Sequence, residues 1–479
     1  MSELPPAGIA PADWDATPAS VRAVVLALLT QVAALSTEVR DLRAQLNLHS
    51  QNSSKPPSSD PPSAPKRGAR AKSGRKAGGQ PGHLGHTRPL LPEDQVDEIV
   101  PCYPTHCPSC QSTLPTDLPD AAAIVRSQTW EIPPIVPHVT EYQQHTVHCP
   151  ACQARVLAQR PPSAPPGGYG ARATALASLF HGRLRLSERE TATTLTDVCG
   201  LPISLGSVVR CCERVSDALA PIYAALQSVV RQQSVVNMDE TSWKEATARH
   251  WLWTAVSALA TVFLIVKSRG GGAIVTLLGE AFAGIVTSDR HRPYGKRAAA
   301  LRQVCWAHLE RNFQALADYN HPDSEWATGV LEQIEAVFGY WYAFGEGRID
   351  RSGLQAALLP IQGAIRDALS AGQQIRWHRI QAISSELLAV WPALWTFAYV
   401  EGVEPTNNAA ERALRPAVLW RKGCFGTRSA EGSRFVERML TVSATCAQQE
   451  RHLLTFLTEA VEAHWCGLPA PVLVPLPTP

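Results

Sequence analysis

Seven apolar residues near the start of the chain, Val25, Leu28, Val32, Leu35, Val39, Leu42 and Leu46, recur at alternating spacings of three and four. That spacing keeps them on one seam of a helix and predicts a coiled coil over 21–50. Val at the a positions with Leu at the d positions favours a parallel pair, in which Glu38 at g would meet Arg43 at e of the partner. The expected assembly is therefore a homodimer or higher. An amphipathic helix packed on its own protein fits the same periodicity.

Beyond the coil the apolar pattern fades into Pro, Ser, Gly and basic residues, which predicts a basic linker over 51–94 that cannot bury a core. Short β-type runs, "IVRSQTWEIPPIV" and "TEYQQHTVHC", follow within 95–160. A Pro- and Gly-rich linker at 161–170 leads to "LSERETATTLTDVCGLPISLGSVVRCCERV", two helical patterns separated by Gly200 and Pro202. This is helix-turn-helix spacing, predicting a helical domain over 171–232 with Ser204, Ser207 and Arg210 as groove-facing candidates. Helical domains that never touch DNA carry such a pattern too.

From 234 the texture becomes β-branched and apolar: "SVVNMDE", "HWLWTAVSA" and "TVFLIVKS" read as strands, "GGAIVTLLGEAF" as a helix, and "GIVTSDR" as a further strand. A hairpin sheet joined to an α/β crossover is expected over 233–315 and 401–447. The segment 316–400, with "WATGVLEQIEAVFGYWYAF" and "WPALWTFAYV", reads as an all-helical, Trp-rich insertion. Its aromatics suit helix packing or stacking on unpaired bases. Residues 1–20 read as a tail and 448–479 as a C-terminal helix and tail, so the fold class is multidomain α/β.

Charge and cysteine content sharpen this picture. The net charge of +2 hides a segment, 51–92, with eight Lys/Arg against Asp60 alone; it carries +7 and leaves −5 for the rest. Lys66, Arg67, Arg70, Lys72, Arg75, Lys76 and Arg88 could track phosphates, which points to DNA as partner. No run of eighteen uncharged apolar residues and no basic-then-apolar N-terminus is present, so a cytoplasmic protein with no membrane partner is expected. Twelve cysteines then read as thiols or metal ligands. Cys107-Pro-Ser-Cys110 and Cys149-Pro-Ala-Cys152 are two C-x-x-C knuckles separated by 38 residues, the pattern of one structural Zn²⁺ held by four thiolates, with Cys102, His106, His145 and His148 as substitutes.

Three acids complete the chemistry. Asp239 and Asp289 each follow an apolar run and are expected at strand ends. Glu411 follows Asn407 and Asn408 in "TNNAAERALRP", where a capping box from Asn408 and a metal-ligand role both fit. Arg412, Arg415, Arg421 and Lys422 around and beyond it could hold phosphates. Cys305-x-x-His308 is half a zinc pattern with no second pair nearby in sequence, and reads as a polar brace within the core.

The blocks "MDETSW", "GIVTSDRHRPYG", "CWAHLERNF" and "TNNAAERALRPAVLWRKGCFG", with "NSSKPPSSD", "GGQPGHLGHTR" and the paired knuckles, resemble the insertion-sequence-66 family of transposases over almost the whole chain. Where many members have Asp-Asn-Asn, this chain has Thr406-Asn407-Asn408. The resemblance implies an RNase H-like core, an Asp-Asp-Glu triad carried by Asp239, Asp289 and Glu411, and two Mg²⁺ or Mn²⁺ ions at that triad. It also implies cleavage and strand transfer at transposon ends and target DNA, with small accessory proteins as partners. A non-catalytic zinc and helix-turn-helix regulator, or a structure-specific nuclease on the same fold, are the rival readings.

Overall fold

The computed structural model describes residues 6, 8–53, 60, 88–114, 125–161, 164–319 and 321–474. They fall into two compact units, Pro65–Pro137 and Met1–Ala64 with His138–Pro479. Lys66, Arg67, Arg70, Lys72, Arg75 and Lys76 lie outside the described residues.

In the larger unit, α1 (Pro11–Ala16) precedes a long helix α2 (Ala19–Leu46) that carries the heptad seam. Leu28, Val32, Leu35, Val39, Leu42 and Leu46 are all exposed on it. By length and composition α2 could also cross a membrane, which a count of uncharged residues alone did not show. Its polar last turns argue for a protein contact: Asp41 accepts hydrogen bonds from the Tyr319 hydroxyl and, at 2.8 Å, from Arg379.

A short hairpin, β1 (Thr146–His148) with β2 (Arg155–Leu157), precedes three helices, α3 (Ala171–Ser178), α4 (Glu188–Cys199) and α5 (Leu205–Arg231). A capping box at Ser187 starts α4, and Gly200 in the left-handed region (φ 60°) ends it. Ser204 caps α5, whose apolar stripe from Val208 to Val230 is buried. That stripe joins the same hydrophobic cluster as the sheet residues Val236, Met238, Leu252 and Phe263, so these helices and the sheet share one core.

The sheet has five strands: β3 (Val235–Glu245), β4 (Ala248–Val256), β5 (Thr261–Val266), β6 (Ile285–Ser288) and β7 (Arg302–Val304). Their order is β5-β4-β3-β6-β7, the first three antiparallel and β3, β6 and β7 parallel. The crossover from β5 to β6 contains α6 (Gly272–Leu278). Helix α7 (Trp306–Ala317) leads to α8 (Ser324–Gly345), α9 (Arg351–Gly372), α10 (His378–Ala389) and α11 (Pro392–Tyr399). These five build a second cluster around Trp306, Phe313, Trp377 and Trp395, which Val235 and Ile285 of the sheet also meet. The indoles are used in packing: Trp306 Nε1 donates to the Leu394 carbonyl at 2.7 Å and Trp326 Nε1 to Ala368 at 2.8 Å.

The chain then returns through α12 (Asn408–Cys424), α13 (Ala430–Gln448) and α14 (Leu453–Trp465). Gly426, between α12 and α13, is held at φ 116°, and a Cβ there would sit 2.2 Å from the Lys244 carbonyl oxygen. Only glycine lets this turn press against β3.

Helix α13 brings a buried acid to the sheet. The Glu437 carboxylate accepts from the Ile265 amide and pairs with Arg434 at 2.9 Å. Burial pushes its carboxyl up to about 7, against the pull of Arg434. The folded protein therefore holds this proton more tightly than the unfolded chain, and stability falls as pH rises from about 4.5 to about 7. Above that window the penalty is full, about 3 kcal/mol. Glu437→Gln, which keeps an acceptor for Ile265, is expected to raise Tm at pH 8 and leave it unchanged at pH 4; equal shifts at both would refute the linkage.

Candidate active site

Asp239 lies inside β3 rather than at a strand end. The reason is β4, which pairs with β3 from Asn237 through Glu245 and carries the strand past the acid. On the other side β6 pairs only with residues 235–237, so the edge of β3 is free where Asp239 stands. Asp289 follows directly on β6. Continued by two residues, the parallel register Val235↔Ile285 to Asn237↔Thr287 sets the two aspartates side by side.

Alternation along β3 gives Asp239 the face of Val235 and Asn237, and gives Glu240 the opposite face with Val236 and Met238. Burial pushes the Asp239 carboxyl well above the usual carboxylate range, and the charges of Glu240, Asp289 and Glu411 push it the same way. Asp239 Oδ1 accepts from the Glu240 amide at 2.9 Å, and Asp289 Oδ1 from the His291 amide at 2.8 Å. Glu240, absent from the sequence expectations, is almost fully buried. Arg269 donates to its Oε1 from Nε (3.0 Å) and Nη2 (2.8 Å), and the Tyr294 hydroxyl donates to Oε2 at 3.0 Å. Burial, followed by the Asp289 charge, still holds its carboxyl above the ordinary value.

Glu411 stands in the first turns of α12, but the capping box read from sequence does not form. Asn407 is the N-cap, Asn408 is already helical, and no side chain caps the end. The fully buried Asn407 works differently. Its Nδ2 donates to the Met238 carbonyl at 2.7 Å, immediately before Asp239, while its backbone carbonyl accepts from the Glu411 amide at 3.1 Å. Its own amide donates to Cys305 Sγ at 3.2 Å, and the Cys305 amide donates to the Ser288 carbonyl, immediately before Asp289, at 2.8 Å. Asn407 and Cys305 thus tie together the backbones that carry all three acids.

The Glu411 carboxylate faces His308 Nδ1 at 3.5 Å and Arg311 Nη2 at 3.6 Å. With Cys305 and His308 it forms a cluster whose ligand atoms lie within 4.8 Å of one another; among the described residues no equally tight group joins the three acids. Burial pushes the Cys305 thiol up to about 11, and burial followed by the Arg311 charge pushes His308 down. Glu411 Oε1 is buried without a hydrogen-bond donor. A carboxylate oxygen with no hydrogen-bond donor, whose charge also reaches Asp239, suits a divalent cation with oxygen ligands.

The description "Transposase IS66 family" matches residues 171–434, more than half of the chain and the span that holds all three acids. The chain belongs to the IS66 transposase family. A second match, the zinc-finger binding domain of transposase IS66, covers 104–153, and a family of unknown function, DUF6444, covers 8–89. No curated protein matches the chain.

Both knuckles of this IS66-family chain fall within the zinc-finger match, and each folds by the same rule. The Cys107 amide donates to Ser112 and the Gln111 amide returns to Cys107, both at 2.9 Å; the Cys149 amide donates to Ala154 and Gln153 returns to Cys149, both at 2.8 Å. Gln111 and Gln153 each take φ 61°. The Ser112 hydroxyl draws the Cys110 thiol down to about 7, and the Cys152 and Ala151 amides lower Cys149. Thiols poised toward thiolate at the tip of a tight turn suit a soft divalent cation.

The basic candidates divide. Arg88 lies 4.5 Å over the Trp130 ring. The Arg421 guanidinium is taken up by β3, donating to Thr241 Oγ1 at 3.0 Å and Ser242 Oγ at 2.6 Å. Arg412 and Arg415 are exposed on α12 beside Glu411.

Proposed function

We propose that this protein is a DNA transposase that binds the ends of its insertion sequence and carries out metal-dependent cleavage and strand transfer, with Asp239, Asp289 and Glu411 as its catalytic acids. The observation that carries this reading is the bond path through Cys305 and Asn407, which fastens the segments bearing the three acids to one another beside the C-terminal end of β6. Three antiparallel strands followed by two parallel ones, with a helical insertion ahead of the last acid, support an RNase H-like core. Mg²⁺ or Mn²⁺ held by the three acids would activate the attacking oxygen and stabilise the leaving oxygen of an in-line phosphoryl displacement. The chain's own part is to place the carboxylates, to screen them from bulk water, and to offer Arg412 and Arg415 to the phosphates of the bound strand.

The basic linker supplies affinity without sequence choice. Cys107, Cys110, Cys149 and Cys152 hold one Zn²⁺, and the exposed seam of α2 pairs with a second copy. Incubating the protein with Mg²⁺, a DNA carrying the insertion-sequence ends and a target plasmid is expected to give nicked ends and joined product. Cutting without joining would favour the nuclease reading, and binding without cutting the regulator. For the zinc, Cys107→Ser is expected to cost the protein its one equivalent of metal and expose residues 95–160 to proteolysis, leaving the core at 171–447 intact. Protein purified without chelator and free of zinc would sink the assignment.

A further inference from the structure

A cavity of about 400 Å³ opens on the flank of the same turns of α12 that carry Glu411. Its walls are largely apolar, and Pro416 and Trp420 from α12 and Phe263 from β5 are among its lining. Ser443 of α13 also lines it, and the Ser443 hydroxyl is buried with no hydrogen-bond partner. A buried hydroxyl left without a partner costs free energy, so its place in the lining points to a polar group that belongs there. At the rim stand Arg183, Arg185 and Arg412, none of which has an ion pair or hydrogen bond to a side chain among the described residues. The first two are set by unusual backbone: residues 179–183 form a π-helical turn, and Arg185 is held at φ 65°. Such turns and such strain collect at binding sites.

We propose that this cavity receives one unpaired base of the bound DNA strand, with the phosphates on either side of it held by Arg183, Arg185 and Arg412. The inference rests on the DNA reading above and deepens it. A nucleobase has two flat faces that aromatic walls accept and a polar edge that Ser443 can bond, and the volume lies in the range of cavities that take small ligands. An aliphatic ligand or side chain would use the walls and leave three cations idle. A nucleotide unit uses both. Extruding a base also turns the adjoining backbone toward the protein, here toward the turn that holds Glu411.

The test uses the full chain without divalent cation and a DNA duplex with a short single-stranded extension, in which 5-iododeoxyuridine is placed at one position at a time. Irradiation is expected to crosslink one position to Trp420 or Phe263, and binding is followed separately by fluorescence anisotropy. Ala444 of α13 also lines the cavity, and Ala444→Leu, which fills it, should abolish the crosslink while the DNA stays bound. Arg185→Gly removes a rim cation at a φ that glycine adopts freely, so it keeps the fold, and it should cut the yield several-fold. DNA that binds but crosslinks only elsewhere, or a yield indifferent to both variants, overturns the cavity assignment and leaves the DNA reading standing. A chain that binds no DNA at all overturns both.

Discussion

Asp239→Asn, Asp289→Asn and Glu411→Gln are each expected to lower metal-dependent cleavage and joining by roughly a thousandfold or more, with DNA still bound and the fold intact. Each change keeps side-chain size and removes one negative charge from the proposed cation site. A thousandfold in rate is about 4 kcal/mol of transition-state stabilisation, a reasonable loss for one ligand of such a site. The structural cost should be small. Asp239 is already crowded by Glu240, Asp289 and Glu411, so a neutral amide relieves repulsion. Glu411 takes no part in capping α12, and its ionic contacts, His308 and Arg311, sit at 3.5 and 3.6 Å. Glu411→Gln is the sharpest arm, measured as the rate of end cleavage in Mg²⁺. A rate near wild type would mean that the third acid lies elsewhere, with the exposed Glu404 and Glu401 next in line.

Much of this site was legible from residue order, and its limits are physical. Apolar, β-branched runs found β3, β4, β5 and β6 but missed the three-residue β7, and a Trp-rich stretch between the second aspartate and the glutamate found the helices α8 to α11. The periodicity could not say where β3 ends, because the partner β4 decides that and continues beyond Asp239. Nor could it find Glu240. Adjacent acids on a strand look like a wet surface, and its burial depends on Arg269 and Tyr294, which stand 29 and 54 positions away. The Cys305-x-x-His308 pair read as a brace, and Cys305 indeed bonds to Ser288 and Asn407; only the fold brings Glu411 against that pair. Asn407 shows the same limit. An Asn before a helix is a capping residue by statistics, and local sequence offers no sign of the Met238 carbonyl that claims its side chain.

Asn407→Ala is expected to slow cleavage by about a hundredfold with a fall in Tm of several degrees. The substitution deletes a buried donor to the Met238 carbonyl, leaving that acceptor unpaired at a cost of about 1–3 kcal/mol. The larger effect is geometric, because the lost bond frees the start of α12 to shift relative to β3, and a misplacement of about 1 Å in a catalytic group can cost about a hundredfold. Two further variants separate this pin from an ordinary cap. Asp and Ser serve an N-cap as well as Asn does, so a capping role would let Asn407→Asp and Asn407→Ser keep near-normal rates. As a pin, Asn407 needs its amide N–H. Ionised Asp only accepts hydrogen bonds and would place a charge against the Met238 carbonyl, so Asn407→Asp should be the most damaging of the three in both rate and Tm. Activity rescued by Asp would show that Asn407 holds the helix end alone, and that Asp239 and Glu411 keep their spacing by other means.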